Sequence, residues 1–204
     1  MAVTEPLDLL DGFPGWSTSF DLMARQEQSR SAAGRTRTKD FGSPLWRASY
    51  VSRVMRANEL DRWRAILSAA MNDQMTFYGR ALSRCRPIHH PGNLPLPTGT
   101  LHTIGANNKS IRADGLPTIR LDIGDLIQIG PNLHQVREPA AAVAGLTPLF
   151  EIRPHLWPAA FTGQAVVIAK PSCLMVIVPN SLQASGDLRT GRGSVSFDAI
   201  EARG

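Results

Sequence analysis

Residues 45–82 carry three segments of different hydrophobic period in close succession. Residues 45–54 (LWRASYVSRV) alternate between apolar and polar positions, which predicts a strand. Residues 58–71 (NELDRWRAILSAAM) repeat their apolar positions at helical spacing, and residues 74–82 (QMTFYGRAL) predict a second strand. Such a block requires a sheet against which the apolar face of the helix packs.

The large apolar side chains of this block predict the core. Trp46 and Tyr50 fall on the more apolar side of the first strand, while Trp63 lies on the apolar face of the helix and Phe77 in the second strand. Asn58 precedes the helical pattern and is the expected N-cap, because its side chain can accept a hydrogen bond from the first turn.

The second half of the chain predicts short strands only. Residues 87–99 (PIHHPGNLPLPTG) hold four prolines without periodicity, which marks a linker or an ordered crossing loop. Beyond them, seven apolar runs bounded by Gly, Pro or Asn predict strands, at 118–121, 126–129, 133–136, 149–152, 165–169, 174–178 and 195–201. The sequence therefore predicts a mainly β chain with one helix (α+β), including a small β-barrel.

Basic charge is concentrated in one part of the chain. Between Arg25 and Arg56, eight basic residues stand against two acidic ones, while the whole chain carries a net charge of +5. Such a patch suits nucleic acid, an acidic protein surface or a neighbouring subunit. A solvated surface without a partner is the alternative.

A hairpin is predicted within this basic segment. Residues 20–28 and 36–41 read as two strands, with a turn at Ala33-Gly34. The outer half consists almost entirely of Arg, Ser, Thr and Gln, so it cannot bury much of itself within a monomer. We therefore expect the hairpin at 25–41 to project and to need a partner surface. Its basic residues are the candidate subunit interface: Arg25, Arg30, Arg35, Arg37 and Lys39.

Catalytic, cofactor and metal sites are not predicted. No serine lies in a G-x-S-x-G motif, and no glycine-rich run has the form of a phosphate-binding loop. Cys85, His89 and His90 could be imagined as zinc ligands, but they lack the paired spacing of a zinc site. The acids Asp114, Asp122 and Asp125 lack the residue order of a calcium loop, which favours a role in turns.

Three features of the sequence bear on the cellular compartment of the protein. Two cysteines, Cys85 and Cys173, lie far apart, which favours a reducing compartment, and Cys173 beside the run LMVIV is expected to be a buried small hydrophobe. The acidic N-terminus does not have the pattern of a secretory signal. No stretch approaches the roughly 20 apolar residues of a membrane span. We therefore expect no membrane partner.

A family resemblance accompanies these patterns. An aromatic start (FPGW), a charged hairpin, the strand GSPLWRASY, a helix and the strand TFYGR look like the belt domain of distal tail proteins from long-tailed (siphovirus-type) bacteriophages. The segments GDLIQIG, HQVREP, FEIRPHLWPAAFTGQAVVIAKPS and SVSFDAIEA are similar to the second half of short proteins of that family. The resemblance covers residues 13–202 and includes no sizeable carbohydrate-binding addition after the barrel.

The resemblance implies a domain organisation. Residues 1–88 would form a belt domain with a tail-tube-like β-sandwich, residues 89–172 an inserted small barrel, and residues 173–204 strands that return to the belt. It also implies a virion structural protein without enzymatic activity or cofactors, assembled in the host cytoplasm and located at the tail tip.

Partners follow from the same resemblance. Six copies would form a ring that joins the tail tube protein to the hub and tip proteins of the baseplate, with the tape measure protein as a further candidate partner and no specific nucleic acid. A small basic nucleic-acid-binding protein is the alternative function. A small β-barrel enzyme with an unrecognised site is a third.

Overall fold

The computed structural model describes residues 5–32, 34–156 and 160–202. Within them the chain forms one helix, α1 (Ala57–Asn72), and sixteen strands. The strands are β1 (Gly15–Met23), β2 (Gln26–Arg30), β3 (Thr36–Asp40), β4 (Leu45–Ser52), β5 (Phe77–Gly79), β6 (Gly99–Ile104), β7 (Ser110–Asp114), β8 (Arg120–Leu121), β9 (Leu126–Ile129), β10 (Asn132–Val136), β11 (Ala140–Ala141), β12 (Phe150–Arg153), β13 (Ala165–Val167), β14 (Cys173–Ile177), β15 (Gln183–Gly186) and β16 (Gly193–Glu201).

A six-stranded antiparallel sheet combines strands from both ends of the chain. Its order is β1-β4-β16-β14-β5, and β15 also pairs with β16. Strand β16 pairs with three strands, with β4 along one side and with β14 and β15 along the other. The chain leaves this sheet after β5 and re-enters it at β14.

Buried and more exposed residues alternate along the strands of this sheet, so one of its two faces is buried. Trp46, Ala48 and Tyr50 of β4 point inward, and the odd-numbered residues of β16 do the same. The predicted core positions Trp46, Tyr50 and Phe77 are each at most 2% exposed, which confirms those predictions. Helix α1 covers this face through its buried residues, which are Leu60, Leu67 and Ala70.

Trp63 is half-buried, and it lies at the edge of the sheet core. Its ring meets Phe13 edge-on, with the centroids 5.4 Å apart. Phe13 in turn meets Phe197 of β16 at 5.5 Å, so the helix and the sheet share one aromatic cluster. The prediction that Trp63 belongs to the packed face of the helix is confirmed, with part of the ring left accessible.

Six strands form a closed barrel in the order β10-β12-β7-β6-β13-β9. Its interior is a second, separate apolar cluster that includes Leu101, Ile111, Ile127, Phe150 and Val166. A short ladder of β8 and β11 accompanies it. The predicted fold class, mainly β with one helix and a small barrel, is confirmed. No helix in the described part of the chain is long and apolar enough to cross a membrane.

Trp46 connects the sheet to the barrel. Its indole N–H donates to the Leu133 carbonyl of β10 at 2.8 Å, and its backbone N–H donates to the Glu201 carboxylate at 3.1 Å. Leu133 itself is buried in the sheet's apolar cluster rather than in the barrel's. These bonds satisfy polar groups that burial would otherwise leave unpaired.

The prediction that Asn58 caps the helix is wrong. The N-cap is Arg56, which makes no side-chain cap hydrogen bond, and Asn58 lies inside the first turn. The reason is tertiary: Met55 and Gly193 exchange two backbone hydrogen bonds of 2.7 and 3.2 Å. This bridge holds the chain extended up to Arg56, and the helix follows immediately.

Several predicted strands have different limits. The 74–82 strand is only Phe77–Gly79, because Gln74 adopts a positive φ of 53° and Arg80 bonds to the Tyr50 side chain. The 118–121 strand is only Arg120–Leu121, since Thr118 also has a positive φ. The predicted strand over residues 20–28 is divided, because β1 ends at Met23 and β2 begins at Gln26 in a different sheet. Four strands were not predicted: β6, β7, β11 and β15.

The Tyr50 hydroxyl is a buried anchor for the chain after β5. It donates to the Arg80 carbonyl at 2.9 Å and accepts from the Arg80 N–H at 3.1 Å. Burial raises the pKa of this phenol, so it stays protonated and keeps both bonds.

We expect Tyr50→Phe to lower the free energy of unfolding by about 1–3 kcal/mol, because it leaves two backbone groups of Arg80 without a partner. Urea denaturation measures the change. The matched control is Tyr78→Phe at a partly exposed position of the same sheet, which should change stability by less than about 0.5 kcal/mol. Equal losses in the two variants would contradict the assigned role of the Tyr50 hydroxyl.

Candidate functional site

Strands β2 and β3 form a two-stranded sheet of their own, which we call the basic hairpin. The register runs from Gln26 opposite Asp40 to Arg30 opposite Thr36, and all ten residues are exposed. Gly34 supplies the positive φ of the turn, and its N–H donates to the Ser31 carbonyl at 2.9 Å. Ala33, the other residue of the predicted turn, lies outside the described residues.

The base of the hairpin is held by local contacts. The Phe41 N–H donates to the Arg25 carbonyl at 2.8 Å, and the Gly42 N–H donates to the Asp40 carboxylate at 3.1 Å. The Lys39 ammonium lies 5.2 Å from the centroid of the Phe41 ring, which is a cation–π distance. These contacts order the base, while the outer half is held by the strand pairing and by the hydrogen bonds of Ser31 in the turn.

The cations of the hairpin have few local partners. Lys39 faces Glu27 across the strands, whereas Arg30 and Arg37 face Thr36 and Ser29. Among the ion pairs found in residues 5–32, 34–156 and 160–202, none includes a cation of the hairpin segment. The structure therefore places Arg25, Arg30, Arg35, Arg37 and Lys39 together on one exposed element.

Basic residues on the large sheet differ from those of the hairpin. Arg47 lies 3.0 Å from Asp198, and Arg53 lies 2.8 Å from Glu59. Arg80, whose side chain is only 12% exposed, contacts the carboxylates of Asp8 and Asp11 at 3.4 and 3.8 Å. Positive charge is thus compensated over the sheet and remains uncompensated on the hairpin.

The edge of the large sheet next to the hairpin is open. Strand β1 pairs only with β4, so within the described chain its other edge has no strand beside it. Trp16 on this strand is 81% exposed. An unpaired edge of nine residues presents a row of backbone donors and acceptors that another strand can use.

A groove of about 770 Å³ lies between residues 7–12 and helix α1, and we call it the acidic groove. Its floor is apolar, and it is lined by Leu7, Leu9, Trp63, Ile66, Ala69 and Met75. Three acids and one base also line it: Asp8, Glu59, Asp73 and Arg62. The wall opposite the helix is fixed, because the Leu7 N–H donates to the Thr76 carbonyl at 2.9 Å and the Leu7 carbonyl accepts from Tyr78 at 3.0 Å.

The histidines and Cys85 considered as metal ligands hold the crossing loop instead. His89 lies 2.9 Å from the Asp122 carboxylate, and the His90 Nε2 accepts from the Arg120 N–H at 2.9 Å. The Cys85 thiol donates to backbone carbonyls one turn earlier. In the described residues no group of three or more His, Cys, Asp or Glu side chains could hold a metal ion. Cys173 is 1% exposed, as expected for a buried small hydrophobe.

The aspartates at 114, 122 and 125 hold turns, which confirms their predicted role. Asp114 accepts from the Gly115 N–H at 2.7 Å. The buried Asp125 carboxylate accepts from the Ile88 and Asp122 N–H groups at 2.9 and 2.8 Å, so it fastens the crossing loop to the barrel. The bond from the Ile123 N–H, and then the contact with His89, lowers the pKa of the Asp122 carboxyl.

The acidic groove was not anticipated from the sequence. Its two walls come from residues 7–12 and from the helix, and only the folded sheet brings them together. One signal was present: before the hairpin, the chain carries four acids and no base, at Glu5, Asp8, Asp11 and Asp21. Of these four acids, Asp8 lines the groove.

We expect the double substitution Arg35→Glu with Arg37→Glu to leave the free energy of unfolding within about 0.5 kcal/mol of the natural protein, because both side chains are exposed. Urea denaturation of monomeric samples tests this. Arg80→Glu is the comparison variant and should destabilise the fold, since it places an acid beside Asp8 and Asp11. A large loss of stability in the hairpin variant would show that the hairpin packs on its own subunit.

Scans of the sequence against protein-family models and against curated proteins return no match. The features available for a functional argument are therefore the molecule's own. They are the basic hairpin, the open edge of β1 and the acidic groove.

Proposed function

We propose that this protein is a virion structural protein, a distal tail ring subunit that joins the tail tube of a long-tailed phage to the hub at the tail tip. The observation that carries the proposal is the basic hairpin, whose ten strand residues are all exposed and whose arginines have no described acidic partner. The resemblance of the sequence to distal tail proteins supplies the biological setting.

An exposed two-stranded hairpin is marginally stable by itself in water. A neighbouring subunit that covers it supplies the missing packing, and arginine suits such an interface because its guanidinium is weakly hydrated and forms paired hydrogen bonds with carboxylates. The open edge of β1 offers a second contact of backbone type. Both features are those of a subunit that completes itself by assembly.

The proposed mechanism is geometric and involves no chemical step. Copies arranged about one axis repeat the same modest contact, and closure of the ring makes the whole assembly stable. The tail tube protein would stack on one side, the hub and tip proteins would bind on the other, and the tape measure protein is a candidate for the central channel. The ring would assemble in the host cytoplasm and remain in the virion at the tail tip.

We expect the purified natural protein to form rings, visible by negative-stain microscopy and as a single oligomer by light scattering. Arg35→Glu with Arg37→Glu should give monomers, because like charges would then face the acidic contact surface. The matched control, Arg112→Glu with Arg137→Glu, makes the same charge change at exposed positions of the barrel region and should keep the rings. A natural protein that stays monomeric at all concentrations contradicts the proposal.

A small basic nucleic-acid-binding protein is the second candidate, and the same uncompensated hairpin favours it. Phosphate contacts would use those arginines, and affinity would fall steeply with salt. The hairpin offers little for base stacking, since Phe41 lies at its base against Lys39. Fluorescence anisotropy with duplex DNA at several salt concentrations separates the two: salt-dependent binding by a monomer that forms no rings supports this candidate.

A further inference from the structure

We propose that the acidic groove of one copy receives the basic hairpin of the next. The inference rests on the proposed ring and adds the acceptor surface, which lies between residues 7–12 and α1. The occupant is a second copy of this chain. The argument is one of complementary charge and of matching chemistry between an arginine-rich strand pair and an apolar floor with an acidic rim.

The floor of the groove suits arginine stems. Its lining is mainly aliphatic, and the Trp63 ring is half-buried, so part of it stays accessible. Arginine lays its three methylene groups along apolar surface while its head stays polar, and its guanidinium stacks on indole rings. The outer hairpin residues Arg35 and Arg37 are therefore able to cover this floor even though the hairpin itself is polar.

The rim of the groove suits guanidinium heads. Asp73 is exposed at the end of α1, and it takes part in none of the ion pairs described in this chain. Asp8 and Glu59 have intramolecular partners, but their side chains are 57% and 35% exposed and remain open to a further contact. Three carboxylates stand against the single cation Arg62 in the lining, while five cations stand against two acids in the hairpin segment.

The two surfaces lie on different elements of one chain, so the contact is head-to-tail. Such an interface leaves one free hairpin and one free groove on every pair, and it continues until the ring closes. A symmetric dimer would not follow from it. This property supplies a test that is independent of whether any single variant disrupts assembly.

The test mixes two variants that are each unable to assemble. The hairpin variant carries Arg35→Glu with Arg37→Glu. The groove variant carries Ala69→Arg with Asp73→Lys, which fills the groove and reverses its charge. Ala69 is exposed on α1 and Asp73 is the exposed C-cap residue that follows it. Arginine is a good helix former and a cation at the helix C-terminus is favourable, so the fold is preserved.

We expect each variant alone to be monomeric and their mixture to give a one-to-one dimer by light scattering, because the mixture contains one intact hairpin facing one intact groove. The matched control, Ala65→Arg with Asp61→Lys, makes the same change on α1 outside the groove and should still form rings. Native mass spectrometry of the mixture, with one variant isotopically labelled, identifies the two chains.

The outcomes separate the two proposals. If the natural protein forms rings but the groove variant also does, the groove is not the acceptor and this inference fails while the ring stands. If both variants are monomeric and no dimer forms on mixing, the two surfaces do not contact each other, and the inference fails again. If the natural protein forms no oligomer, the proposed function itself fails. Binding of a different protein by the groove, with ring formation unchanged, would assign it to that partner and overturn the inference.

Discussion

The pairing of β16 with β4 is the contact on which the large sheet depends. It brings Phe197 opposite Tyr50 and aligns the inward faces of two strands that are far apart in sequence. Without it, β14 and β15 would have no attachment to β1 and β4, and α1 would have no continuous apolar surface to cover. The aromatic contact of Tyr50 with Phe197, 5.2 Å between centroids, lies at the centre of this arrangement.

The charged side chains of the molecule fall into those that have a partner of opposite charge and those that have none among the described residues. Over the sheet, arginines such as Arg47 and Arg53 have carboxylates within hydrogen-bond distance, so these charges are locally satisfied. On the basic hairpin the cations have no ion-pair partner among the described residues. The acidic groove is lined by three carboxylates and Arg62, and two of those carboxylates, Asp8 and Glu59, also contact Arg80 and Arg53. Solvated charges contribute little to a monomer's stability, but opposite surfaces on separate copies attract and orient one another. This distribution of charge is what the proposed contact between copies requires.

The sequence predicted the parts of this fold that local pattern determines. Alternation placed Trp46 and Tyr50 in the core, and spacing placed α1. It could not predict that Met55 bridges to Gly193, which moves the start of the helix, because that contact spans most of the chain. Barrel strand β6 was missed because a bulge between Leu101 and Thr103 breaks its alternation, and β7 because its five residues include only Ile111 and Ala113 as apolar positions. The hairpin's cations were visible as composition, whereas the acidic groove needed two distant segments to meet.

The order of the strands along the chain determines which surfaces exist first during synthesis. The sheet is completed only by β16, which follows the hairpin, α1 and every barrel strand in the chain. During synthesis the hairpin leaves the ribosome long before the strand that organises the core beneath α1. A growing chain therefore carries its cationic arm in solution while β1 and β4 still lack β16, the strand that joins them to β14 and β15.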